Sequence, residues 1–335
     1  MSGENLLTIE DLSVAFKSGA GDPVEVIDRV SLKLERGRTL SLVGESGCGK
    51  SVTASSVMRI LPQPYGIVTN GKILFEGQNI LDLPIDEMYK KRGAEIAMIF
   101  QEPMTALNPV HIVEKQIGEV FELHRPEIPK DERQTHVLKV LKDVEMPSAE
   151  QRLKNYPFQL SGGMRQRVMI AMGLSCNPEI LIADEPTSAL DVTIQAQIIE
   201  LMQELSVRLG TAVIMITHSL GVVAGMCDTI CVMYAGRVVE RGNTKDIFRE
   251  PKHPYTRGLI QSVPRLDKEN SDRLYSIPGQ PPNVIDLPPC CPFFPRCGQT
   301  MDICKKAYPP LSDFGNGHCA SCWLYAQQSE NKGRP

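Results

Sequence analysis

Residues 44–51 read Gly44-Glu45-Ser46-Gly47-Cys48-Gly49-Lys50-Ser51, and this octet decides the fold. It fits the pattern G-x-x-x-x-G-K-[ST], and its surroundings suit that pattern. A short apolar run, 40–43, precedes it, and a stretch with helical spacing, 50–61, follows. Glycines let successive backbone N–H groups converge on phosphate oxygens with no side chain in the way. The helix start behind them adds a favourable dipole. Lys50 has the reach and charge for β- and γ-phosphates, and the Ser51 hydroxyl suits Mg²⁺. A chance glycine-rich turn would explain the composition but not the strand before it and the helix after it.

Outward from the octet, strand-like and helix-like stretches alternate. Residues 7–16 and 24–34 read as strands, as do 72–75, 96–100, 180–183 and 213–217, while 194–209 has helical spacing. Residues 231–239 read as a hairpin turning at Ala235-Gly236. That order predicts an α/β fold with a mostly parallel core sheet and an antiparallel portion towards the N-terminus. Residues from about 106 to 176 are mainly helix-like and read as a helical subdomain inserted in the core. Beyond Pro251 the texture changes, with prolines crowding 278–295 and cysteines following. The expected division is therefore 1–248, an α/β domain, and 249–335, a C-terminal region held together by something other than a large apolar core.

Composition sets bounds. Of 335 residues, 42% are apolar, enough for a real core. Lys and Arg number 36 against 40 Asp and Glu, a net charge of −4, so the basic excess of a nucleic-acid binder is missing. The first ten residues have neither the basic nor the apolar segment of a secretory signal. No apolar run approaches the ~18 residues needed to span a bilayer, so membrane work is expected to come from partner chains. Six of the ten cysteines fall between Cys290 and Cys322. With no signal peptide, such a cluster suggests a metal site before it suggests disulfides.

Two further motifs carry chemistry. In Ile180-Leu181-Ile182-Ala183-Asp184-Glu185 an apolar strand delivers two carboxylates at its C-terminal end, the usual ligand edge of an open α/β sheet. Asp184 suits Mg²⁺, directly or through water, and Glu185 suits polarising an attacking water. Side chains alternate along a strand, so both can reach one site only if the backbone turns there. Leu160-Ser161-Gly162-Gly163-Met164-Arg165-Gln166 places a hydroxyl and two glycines before a helical run. That is a second anion site, or simply a Ser N-cap.

The motifs and their order resemble the nucleotide-binding subunits of ABC transporters over about residues 6–248, and the resemblance implies a P-loop NTPase cassette that binds and hydrolyses ATP with Mg²⁺. Ser161-Gly162-Gly163 resembles the family signature, with Met164 where a Gln is usual. Gln101 resembles the Q-loop glutamine, Ser188-Ala189-Leu190-Asp191 the D-loop and His218 the switch histidine, and Phe16 sits where an aromatic stacks on adenine. Implied catalytic residues are Glu185, His218, Gln101 and Lys50. Implied ATP contacts are Phe16, Gly44 through Ser51, Gln101, Asp184, Ser161, Gly162, Gly163 and Asp191, and implied Mg²⁺ ligands are Ser51, Gln101 and Asp184. A soluble ABC ATPase of DNA repair or translation would share these motifs. It would usually add a coiled-coil arm or a second cassette, and neither is present.

The tail narrows the resemblance. His253-Pro254-Tyr255-Thr256, then Cys291-Pro292-Phe293-Phe294-Pro295-Arg296-Cys297, Cys304 and Cys322, resemble the dipeptide/oligopeptide importer ATPases, and among them the D-type subunits. Relatives in that group carry nickel, opines or antimicrobial peptides. Implied partners are a second homologous ATPase, two transmembrane permease subunits and, indirectly, a periplasmic or lipid-anchored substrate-binding protein, with no nucleic acid. The implied location is the cytoplasmic face of a bacterial inner membrane. The resemblance also implies a [4Fe–4S] cluster on Cys291, Cys297, Cys304 and Cys322. Their spacing, C-x5-C-x6-C-x17-C, lacks the paired knuckles typical of structural zinc. Zinc remains the rival metal, and Cys290 or Cys319 could replace a neighbouring ligand.

Overall fold

A computed structural model describes residues 4–17, 22–188, 190–263, 275–284 and 287–330. Ala189 of the D-loop stretch lies outside the described residues. Two compact units are woven from alternating stretches of the chain. One takes Leu34–Thr39 and Asp82–Ile216 with the residues before Leu7; the other takes Leu7–Lys33, Leu40–Leu81 and the chain from Thr217 onward.

The strands are β1 (Asn5–Phe16), β2 (Val24–Glu35), β3 (Thr39–Val43), β4 (Gly66–Phe75), β5 (Gln78–Asn79), β6 (Ile96–Ile99), β7 (Ile180–Asp184), β8 (Ala212–Thr217), β9 (Thr229–Tyr234), β10 (Arg237–Asn243), β11 (Leu311–Asp313) and β12 (Cys319–Ser321). In the first unit β6, β7 and β8 run parallel, with Ile96 opposite Ile180 and Ile180 opposite Ala212. Every residue of β7 and β8 is buried. That explains why these strands are near-continuous apolar runs and not alternating ones: both faces are covered.

The expected helical insertion lies in the same unit, as helices Val113–His124, Arg133–Asp143, Ala149–Arg152 and Gly162–Leu174. Val113, Ile117, Phe121, Val137, Leu141 and Val168 are among its buried apolar positions. Helix Val192–Leu209 starts on Asp191, whose carboxylate accepts the Ile194 N–H at 3.0 Å, and stops at Gly210 with φ 70°.

The second unit holds an antiparallel sheet in the order β2-β1-β4-β5. Two register shifts interrupt the β1–β4 pairing, one where Asp11 and Leu12 face Gly71 (φ 98°) and one where Thr69 is extra on β4, so β4 is one strand with a bulge. The bulge breaks the alternation, and only 72–75 reads as strand from sequence. β3 and β9 pair in parallel, Leu40 opposite Thr229. β9 and β10 form the expected hairpin, turning at Ala235 and Gly236, both at positive φ. The tail then adds to this sheet: β12 pairs with β10, and β11 with β12.

Two expected boundaries move. The helix after the glycine loop ends at Val57 and not near residue 61. Arg59 takes φ 50°, its N–H donates to Ser56 O and the Ile60 N–H reaches back to Ser55 O. This Schellman stop is normally made with Gly, so an Arg there hides it. β6 stops at Ile99, leaving Phe100 46% exposed.

Residues on both sides of the expected 248/249 division lie in the second unit. Fully buried Glu240 of β10 ties them together. It accepts N–H bonds from Lys252 at 2.7 Å and His253 at 2.8 Å, and its carboxylate meets His318 Nε2 at 2.8 Å. Burial alone would raise the pKa of this carboxyl. The bonds from His318, Lys252 and His253 outweigh that and hold it below the usual range. His253 caps helix Pro254–Gln261 by accepting the Tyr255 N–H on Nδ1 at 3.1 Å, and burial pulls its imidazole down to about 4.

Candidate functional site

The octet forms the connection between β3 and helix Lys50–Val57. A Cβ on Gly44 would stand 2.2 Å from the Met233 carbonyl oxygen and 2.7 Å from Cys48 Sγ, so only glycine lets the loop lie this close to β9. Ser46, Gly47 and Ser51 are exposed, whereas Cys48, Gly49 and Lys50 are buried. Lys50 Nζ donates to the carbonyls of Gly44 (2.8 Å) and Glu45 (3.0 Å), so its charge lies in the hollow of the loop. Burial pushes the Cys48 thiol up, against the opposing pull of Lys50. Phe16 ends β1 opposite Gly66, partly buried.

Two side chains from the tail grip the loop. The Tyr255 hydroxyl accepts the Glu45 N–H at 2.9 Å. Arg296, on the 3-10 turn Phe294–Arg296, makes a forked pair with the Glu45 carboxylate at 2.6 and 2.9 Å. The Arg296 side chain is 4% exposed. Its Nε donates to Pro278 O at 2.8 Å and its Nη1 to the Tyr234 hydroxyl at 3.3 Å. Tyr234, Tyr255 and Phe293 pack together beside it with ring centres 4.6 to 5.4 Å apart, Tyr234 and Phe293 edge to face and Tyr255 tilted against both. Neither local stretch, 253–256 nor 291–297, marks Tyr255 or Arg296 for a role at the loop. Glu45 and Arg296 are 251 positions apart, and no local pattern reports such a contact.

In the first unit, Asp184 ends β7 buried, and the next residue, Glu185, takes φ 43°. This is the turn that alternation requires if neighbouring carboxylates are to serve one place. The turn is fixed by the Glu185 N–H, which donates to Ile216 O at 3.0 Å, and by Ser188, which bonds back to Glu185 O. Gln101 Nε2 donates to Glu185 Oε2 at 3.1 Å, so the Q-loop and general-base candidates meet. Ser161 caps helix Gly162–Leu174 by accepting the Met164 N–H at 3.4 Å. Gly162 and Gly163 pack under Leu190 and Ile194, beside the Asp191 cap. In the second unit His218 is exposed just past β8.

Cys291, Cys297, Cys304 and Cys322 line one small cavity with His253, Phe293 and Phe294. Cys290 and Cys319 line other clefts. The Gln299 N–H points at Cys297 Sγ, 3.4 Å away. Burial pushes Cys291 up to about 12 and Cys322 up to about 11, so thiolates form there only against a bound cation. Four sulfur donors at one cavity fit a thiophilic centre. Among the described residues, however, no group of three or more His, Cys, Asp or Glu is drawn close enough to hold a metal ion.

The profile for ABC transporters matches residues 27–188, and that for the oligopeptide/dipeptide transporter C-terminal region matches 239–304. The dipeptide transport ATP-binding protein DppD of Bacillus subtilis is 49% identical over 328 residues, 98% of this chain and 97% of that protein. The chain belongs to the ABC transporter family. As an ABC ATPase it uses ATP and Mg²⁺. The oligopeptide transport ATP-binding protein OppD of Escherichia coli is 50% identical to this ABC chain over 318 residues, 95% of it and 93% of the relative. The dimeric ATP-binding cassette MJ0796, in a post-hydrolysis state with ADP and Pi, superposes with a TM-score of 0.63 at 27% identity, covering 71% of the ABC chain and 98% of its own. No helix among the described residues is long and apolar enough to cross a membrane.

Proposed function

We propose that the chain is the ATP-hydrolysing subunit that energises a bacterial importer of di- and oligopeptides. The observation that carries this is the match to peptide-transport ATPases along nearly the whole chain, tail included. Cassette motifs alone would fit any ABC machine. A cassette at 1–248, with its helical subdomain at about 106–176, would do the ATP chemistry, and 249–335 would be the importer-specific extension. Nickel or opine cargo is the second reading, because the relatives' ATPases share this architecture whatever they energise.

In this mechanism residues 44–51 cradle the phosphates, Lys50 offsets their charge and Phe16 stacks on the adenine. Ser51, Asp184 and Gln101 serve Mg²⁺. Glu185, held by Gln101, orients the attacking water, and His218 contacts the γ-phosphate. Phosphoryl transfer asks for positioning and charge more than for covalent help. Ser161, Gly162, Gly163 and Asp191 face the nucleotide of a second, homologous ATPase. ATP drives closure of the pair only by binding the closed form better than the open one. Two permease subunits at the cytoplasmic face of the inner membrane take up the motion, and a substrate-binding protein delivers cargo from outside. Co-purification from membranes tests this: recovery with two permease subunits and a second ATPase is expected. Recovery with nucleic acid or ribosomes instead would overturn it.

Cys291, Cys297, Cys304 and Cys322 would hold a [4Fe–4S] cluster. Four sulfurs at one cavity, with apolar neighbours and an N–H aimed at a sulfur, support that donor set. When bound, the centre acts as a staple, ordering a tail too short of apolar surface to fold firmly by itself. Stoichiometric zinc without iron in the purified protein would replace the cluster with the rival metal.

A further inference from the structure

We infer that Arg296 is a positioning residue for the phosphate-binding loop: it draws the Glu45 carboxylate away from the anion side and makes nucleotide affinity depend on the cysteine-rich tail. The inference rests on residues 44–51 being the nucleotide loop. Glu45 is the one acidic residue in that octet, and an unpaired carboxylate there would repel the phosphates the loop is built to hold. Arg296 matches both carboxylate oxygens with its fork, and it is not free to wander. Pro278 O holds Nε, the Tyr234 hydroxyl holds Nη1, and the Tyr234 and Phe293 rings lie 5.8 and 6.0 Å from the guanidinium carbon. Tyr255 fixes the same residue through its backbone N–H. The loop is thus held at one residue by a side chain and a hydroxyl that both come from the tail. Arg296 also immediately precedes Cys297, so any disturbance of the cysteine cavity reaches the loop through a single residue.

The test is a titration of the full chain with a fluorescent ATP analogue and Mg²⁺. Arg296→Gln strands the Glu45 charge, and Glu45→Asp keeps that charge but shortens its reach. Each is expected to raise Kd about tenfold, which is about 1.4 kcal/mol. Glu45→Gln removes the charge that needs a partner. Added to Arg296→Gln it should recover most of the roughly tenfold loss. A purely structural role for Arg296 in the tail would not be rescued by a change at residue 45. Should Arg296→Gln unfold the tail, the comparison of Glu45→Asp with Glu45→Gln decides: the displaced charge should bind ATP more weakly than the neutral amide, and equal binding overturns the inference. Parent-like binding by Arg296→Gln with a folded tail, or by Glu45→Asp, overturns the inference, as does failure of the rescue. Lys50→Ala separates the two levels. If it binds normally, the loop is not the nucleotide site; if it loses binding while Arg296→Gln keeps it, only the clamp is wrong.

Discussion

Gly44→Ala is expected to cripple nucleotide binding, whereas Gly47→Ala, three residues on, is expected to be mild. A Cβ at residue 44 would lie 2.2 Å from the Met233 carbonyl oxygen and 2.7 Å from Cys48 Sγ, while one at residue 47 meets nothing within 4 Å. Restoring an ordinary carbon–oxygen contact of roughly 3.2 Å at residue 44 requires a shift of about 1 Å, and the obstacle is the buried backbone of β9. Overpacking of that kind costs about 1–3 kcal/mol of stability. The larger effect falls on function. A 1 Å displacement takes the loop N–H groups out of register with phosphate oxygens, a loss on the order of 10²-fold. At Gly47 the cost is only that of an L-residue at φ 78°, roughly 1–2 kcal/mol, with the cradle left in place. The assay pairs thermal melting with the titration used above. If Gly44→Ala binds ATP as tightly as Gly47→Ala, the close approach of loop and β9 does not set affinity, and the reasoning fails.

Other outcomes are expected. Glu185→Gln should keep ATP binding but slow hydrolysis on the order of 10²-fold or more in the assembled complex, measured by phosphate release; near-normal turnover would remove the general-base role. Acid should destabilise the fold in two steps. His253 is neutral when folded down to about 4, while the unfolded chain takes up a proton near 6.5, so stability is lost as pH falls from about 6.5 to about 4. Glu240, held below the usual carboxyl range, adds its loss below about 4.5, so a melting temperature that does not change between pH 7 and 4 would contradict the His253 assignment, and one that falls no further below pH 4 the Glu240 assignment. Cys304→Ser should lose bound metal by elemental analysis and loosen the tail to protease while the loop still binds ATP; unchanged metal content would take Cys304 out of the ligand set.

Much of this was legible in the sequence because burial on both faces writes itself as plain apolar runs. β7 and β8 are such runs, and the octet sits where a strand hands over to a helix. The two carboxylates could be named, but not the backbone turn at Glu185 that aims them, because a non-glycine at positive φ leaves no compositional mark. Arg59 hid a helix end for the same reason. The bulge at Gly71 shortened the apparent β4. Long-range contacts were least visible. The grip of Arg296 and Tyr255 on Glu45, and the burial of Glu240 under His318, join residues whose spacing carries no period, so only the folded chain brings them together.

The pairing of β12 with β10 has a practical meaning. Without the tail, β10 would be the last strand of its sheet, presenting the unpaired N–H and C=O groups of 237–243 to solvent. Such a margin recruits strands from other molecules. A cassette trimmed after residue 250 to leave only the ATP-handling part would expose that margin and lose the hydrogen-bond partners of buried Glu240. Its insolubility on expression would reflect self-association along β10 and say nothing about whether the remaining motifs are competent.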